Sequence, residues 1–66
     1  MKLNELIKQA REKKGYTLSK MARLSDVELH TYQRWERGQM PSAENLIKLI
    51  DLLDLDINEV KKIFLH

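Results

Sequence analysis

Thr31-Tyr32-Gln33-Arg34-Trp35-Glu36-Arg37-Gly38 is the stretch whose reading decides the fold. Tyr32 and Trp35 are three residues apart, so a helix places both on one side. Gln33, Arg34 and Arg37 lie largely on other sides and carry donors that match phosphates or base edges. Gly38 supplies the positive-φ residue that ends such a helix. A short rod anchored by aromatics on one side and offering Gln and Arg on the other fits the major groove of duplex DNA.

The sequence on either side of this stretch reads as further helices. Leu3, Leu6, Ile7 and Ala10 recur at helical spacing and predict a first helix from Leu3 to Lys14. Gly15 stops it, with Lys13 and Lys14 at the negative end of the helix dipole. Thr17 is an N-cap for a second helix, Leu18 to Leu24, with Met21 and Ala22 facing inward. Ser25-Asp26 breaks it. The third helix spans about Glu28 to Arg37. Gln39-Met40-Pro41 is a turn, and Ser42 caps a fourth helix, Ala43 to Leu53, which buries Leu46, Leu49, Ile50 and Leu53. Asp56 and Glu59 have capping-box spacing and open a fifth helix carrying Val60, Ile63 and Phe64.

Composition agrees with an all-α fold. The 66 residues allow one domain, 1-66, with a small core. Two Gly and one Pro are too few to punctuate a set of short strands. No segment is apolar enough to span a membrane, and Met1 to Glu5 shows no signal-peptide character. The lack of Cys excludes disulfides and thiolate chemistry and is compatible with a reducing cytoplasm. Net charge is only +2, a balance many inert domains share. Its distribution says more: Lys8, Arg11, Lys13, Lys14, Lys20, Arg23, Arg34 and Arg37 precede an acidic set, Asp51, Asp54, Asp56 and Glu59. One end of the folded chain is expected to be basic and the other acidic.

Catalytic readings find no support. His30 and His66 are far apart in sequence and make no helical metal-binding pair. Ser19 and Ser25 have no neighbouring His, and the two glycines are isolated. Neither an enzyme nor a metal or cofactor site is expected.

The segment from Ile7 to Val60 resembles the lambda-repressor/Cro-type helix-turn-helix domain of the XRE family. The residues that carry the resemblance are Arg11 to Gly15, Met21-Ala22, Val27, Thr31 to Gly38, Pro41-Ser42 and Leu46 to Leu53, in that order and spacing. The resemblance implies a compact five-helix domain whose second and third helices form the helix-turn-helix. It implies a sequence-specific transcriptional regulator, of repressor type, that binds an inverted repeat in double-stranded DNA as a homodimer. Leu29, His30, Gln33 and Arg34 would face bases. Thr17, Lys20, Thr31, Arg37, Gln39, Ser42 and Asn45 would contact the DNA backbone. Arg11 and Glu36 match a pair that links the first helix to the third in this family. The exposed remainder of Ile63-Phe64-Leu65, beside Leu52 or Leu55, would pair two copies through the last helix.

Several positions depart from the pattern. Leu18 stands where the family has Gln. Glu28 and Leu29 stand where it has a polar cap and a polar base reader. Asp26 and Asp54 replace glycines, and the loop from Gly38 to Pro41 is about one residue short. These changes leave a second reading open, in which the same fold serves as a protein-interaction module such as an antirepressor or regulatory subunit, with Leu29 and Tyr32 near a partner.

Overall fold

The computed structural model describes residues 1–65. His66, weighed above as a metal ligand, lies outside the described residues. Five helices follow one another: α1 (Leu3–Lys14), α2 (Leu18–Leu24), α3 (Leu29–Glu36), α4 (Ala43–Leu53) and α5 (Ile57–Phe64). Among the described residues there is no strand. The architecture is the all-α, lambda-repressor-like one, with α2 packed against α3 and α1 packed against α3 and α4.

Local chemistry explains where the helices start and stop. The Glu5 carboxylate reaches back to accept from the Lys2 backbone N–H at 3.2 Å. Gly15, at φ 75°, ends α1; its N–H donates to Glu12 O at 3.0 Å, and the Tyr16 N–H donates to Arg11 O at 3.1 Å. This pair of bonds satisfies two carbonyls that the helix end leaves free. Asp54 builds a similar stop for α4 at φ 52°, with the Leu55 N–H donating to Ile50 O at 3.0 Å. Thr17 and Ser42 each accept a backbone N–H, from Lys20 at 3.0 Å and from Asn45 at 3.2 Å.

Two ends differ from the sequence expectation. Glu28 is the N-cap of α3 and not its first turn, and its side chain makes no cap bond. A carboxylate two carbons from the backbone is a poor fit to that role. At the other end Arg37 is the C-cap, its N–H still donating to Gln33 O and Arg34 O at 3.1 Å, and Gly38 follows at φ 117°. Asp56 caps α5 through the Asn58 N–H at 2.8 Å.

The core gathers one stripe from every helix. Leu3, Ile7, Met21, Ala22, Tyr32, Trp35, Leu49, Leu53, Leu55 and Val60 are buried together. Ile7, Met21 and Leu49 expose nothing, and each contributes about 1.5–3 kcal/mol by leaving water. Tyr32 and Trp35 meet edge-to-face with centroids 5.8 Å apart. Ala22 is small where α2 meets α3, and the Val27 N–H donates to Ala22 O at 3.0 Å to close the turn. Asp26 takes a left-handed conformation there, at φ 57°, a region Asp tolerates better than most residues.

The last helix corrects one expectation and sharpens another. Leu55 is buried, so it offers no exposed neighbour for the C-terminal residues. Ile63 is half-buried in a hollow with Leu3, Trp35 and Met40, whereas Phe64 and Leu65 remain 47% and 74% exposed. Charge segregation is also incomplete, because Lys14 Nζ meets Asp54 Oδ2 at 2.8 Å and ties the basic part to the acidic one.

Candidate nucleic-acid interface

Successive residues of a helix are turned by about 100°. On α3, burial of Tyr32 and Trp35 fixes the inward direction. Directly opposite stand His30 and Arg37, flanked by Gln33 and Arg34. His30, Arg34 and Arg37 are exposed, and Gln33 is half-buried. The helix therefore turns two guanidiniums, an imidazole and an amide outward together. Leu29 and Thr31 lie at the two margins, Leu29 37% exposed and Thr31 half-buried. Leu29 is thus an edge residue whose apolar surface can touch a thymine methyl but cannot read a donor or acceptor.

The other named residues surround this face at different distances along the chain. Thr17 and Lys20 are exposed at the start of α2. The Lys20 ammonium sits 4.7 Å from the Tyr16 ring centroid, a cation–π contact that orients it. Gln39 and Ser42 are exposed in and after the α3–α4 turn, and Asn45 is half-buried in the first turn of α4. Ser42 Oγ and Thr17 Oγ1 already accept cap bonds, so each has its hydroxyl proton left to offer. Two carboxylates oppose an anion nearby: Glu28 before α3 and Glu44 in the first turn of α4, both exposed.

The orientation of α3 is held from α1. Arg11 Nε donates to Glu36 Oε2 at 2.7 Å, and Nη2 donates to Oε1 at 3.2 Å. The remaining Arg11 nitrogen, Nη1, donates to Tyr16 O at 2.8 Å. Both side chains are largely buried, at 12% and 9% exposure. The hydrogen bond to Glu36 raises the Arg11 pKa above its ordinary value, against the opposing effect of burial. The guanidinium is therefore charged throughout the accessible pH range.

Two partners of Glu36 were not foreseen. The Tyr32 hydroxyl donates to Glu36 Oε2 at 2.5 Å, and Asn4 Nδ2 donates to Glu36 O at 3.3 Å. Burial, and then the bond to Glu36, push the Tyr32 hydroxyl far above the usual phenol range. The spacing of Tyr32 and Glu36, four apart on a helix, was the available signal. It was hidden because an aromatic on a core stripe reads as packing alone. Lys8 of α1 shares a hollow with Leu18, Gln33, Glu36 and Arg37, a placement its sequence position does not signal. Among the described residues no group of acidic or His side chains could hold a metal ion, and no helix is long and apolar enough to cross a membrane.

Comparison with known proteins agrees with the helix-turn-helix fold. A helix-turn-helix family model matches residues 7–60, and the chain belongs to that family. The transcriptional repressor RstR of the cryptic phage CTXphi, from Vibrio cholerae serotype O1, is 33% identical over 61 residues. The alignment covers 91% of this chain and 54% of that repressor, so the chain spans about half the length of the relative it matches. No solved structure gives a significant match.

Proposed function

We propose that the chain is a DNA-binding transcriptional regulator of the Cro-like XRE type, acting as a repressor in the cytoplasm. It works by occupying a site on duplex DNA, not by catalysis. The observation that carries this reading is the outward face of α3, where His30, Gln33, Arg34 and Arg37 stand opposite the buried Tyr32 and Trp35. The repressor name of the V. cholerae phage relative supports it.

In this reading α3 enters the major groove. Arg34 bonds a guanine in a bidentate manner, worth about 1–3 kcal/mol of discrimination. His30 and Gln33 read neighbouring bases, and Leu29 packs at the margin. Thr17, Lys20, Thr31, Arg37, Gln39, Ser42 and Asn45 contact the backbone, which sets register without reading sequence. Arg11 and Glu36 keep α3 at a fixed angle to α1. The single domain, residues 1-66, pairs through the exposed part of α5, with Phe64 at its centre and Ile63 beneath. Two copies of α3 then stand roughly 34 Å apart, facing an inverted repeat.

Selection of bound duplexes from a random pool, followed by affinity measurements over a salt series, tests this. A preferred inverted repeat with affinity falling steeply in salt supports it, because neutralised phosphates release counterions. Indifference to every duplex would remove it and favour the protein-interaction reading.

A further inference from the structure

The outward face of α3 continues sideways into α1. Lys8 of α1, Leu18 at the start of α2, and Gln33, Glu36 and Arg37 of α3 line one hollow of about 190 Å³. Lys8 and Arg37 are exposed, and neither forms an ion pair among the described residues. The one carboxylate in the hollow belongs to Glu36. It is already held by Arg11 Nε and Nη2 and by the Tyr32 hydroxyl. Its charge is paired with Arg11, and it forms no ion pair with Lys8 or Arg37 among the described residues. Leu18 gives the hollow an apolar wall with no acceptor. What remains is two uncompensated cations and a half-buried amide around a space of a few atoms, at the border of the proposed interface.

We propose that this hollow seats one phosphate of the duplex backbone, with Lys8 as a contact that α1 contributes beside Arg37. The inference rests on the DNA-binding reading and adds a third helix to it. The bond is between a point charge and a phosphate, so it carries no base preference. It also places a backbone anchor on the helix that Arg11 and Glu36 lock to α3. The phosphate thereby sets the rotation of α1 and α3 together against the groove.

The opposite side of α1 supplies a control. Lys13 lines a different hollow, with Leu6, Ala10 and Leu55. Lys8→Ala and Lys13→Ala change net charge equally. Fluorescence anisotropy over a salt series, on a selected duplex and a random duplex of equal length, separates them. For Lys8→Ala the log–log salt slope should become shallower by about 0.9, the loss of one phosphate contact. Affinity should fall by the same factor on both duplexes. Lys8→Arg should keep the slope, and Lys13→Ala should leave it unchanged. Thermal unfolding of each variant checks that the fold is intact. Equal slopes for Lys8→Ala and the unsubstituted chain, or equal changes for Lys8→Ala and Lys13→Ala, would overturn the contact alone. An unsubstituted chain that binds neither duplex would overturn the DNA-binding reading and this contact with it.

Discussion

The junction of α1 with α3 and the outer side of α5 are opposites in chemistry. At the junction, charged and polar groups are largely or partly buried and bond one another: Arg11, Glu36, Tyr32 and Asn4 make five hydrogen bonds to one another and to backbone oxygens. On α5 and just after it, apolar groups are exposed: Ile57 48%, Phe64 47% and, past the helix end, Leu65 74%. The first region resists change because every group there depends on its neighbours. The second carries little of the fold and is open to a partner. A hydrogen-bonded polar junction suits a helix that must keep one angle, and an exposed apolar helix suits association.

The largest expected effect comes from opening the junction. Glu36→Ala leaves the Arg11 guanidinium and the Tyr32 hydroxyl without their acceptor. Stability should fall by about 3 kcal/mol in urea unfolding, since removing one partner of a buried pair strands the other. A loss under about 1 kcal/mol would mean that the pair behaves as a surface ion pair.

Tyr32→Phe keeps the ring and removes one donor to a charged group, at a cost of about 1.5 kcal/mol near neutral pH. It should also alter the alkaline limb. The folded-state value of the Tyr32 hydroxyl lies above that of the unfolded chain. Its contribution is therefore complete below pH about 10 and is lost as pH rises toward the folded value. Stability of the unsubstituted chain should decline above that pH, and the decline should be smaller in Tyr32→Phe. Lys14, whose bond to Asp54 raises it, titrates in the same direction in both proteins and cancels from the comparison.

Ser25 is the contrary case. It is 1% exposed, and its hydroxyl has no hydrogen-bond partner among the described residues. Ser25→Ala should raise stability by up to about 1 kcal/mol, as a buried hydroxyl without a partner is costly. A clear loss in thermal unfolding would reveal a partner for it.

Phe64→Lys should change monomer stability by less than about 0.5 kcal/mol, as expected of an exposed position. It should nevertheless shift sedimentation at micromolar concentration from dimer to monomer. An unaltered sedimentation profile would move the pairing surface elsewhere.

Helix positions were readable because each depends on neighbours in sequence. Thr17, Ser42 and Gly15 act within one turn, and the bounds of α1, α2 and α4 follow from them. The aromatic pair Tyr32 and Trp35 likewise fixed the inward side of α3, and with it the outward set. What sequence could not disclose depends on contacts across the chain. Lys8 comes to share a hollow with Gln33 and Arg37 only once α1 lies against α3. Leu55 and Val60 lie in the core with Ile63 packed against it, whereas Phe64 is exposed, a division set by how α5 lies on the other helices. Tyr32 had two roles, and hydrophobic periodicity registers only one.

The most direct test is a map of backbone amide shifts in the isotope-labelled chain as a duplex carrying its selected site is added. The largest changes should fall at His30, Gln33, Arg34 and Arg37 and at the start of α2, with α5 quiet apart from pairing. Changes centred on Ile57, Phe64 and Leu65, with α3 undisturbed, would contradict it.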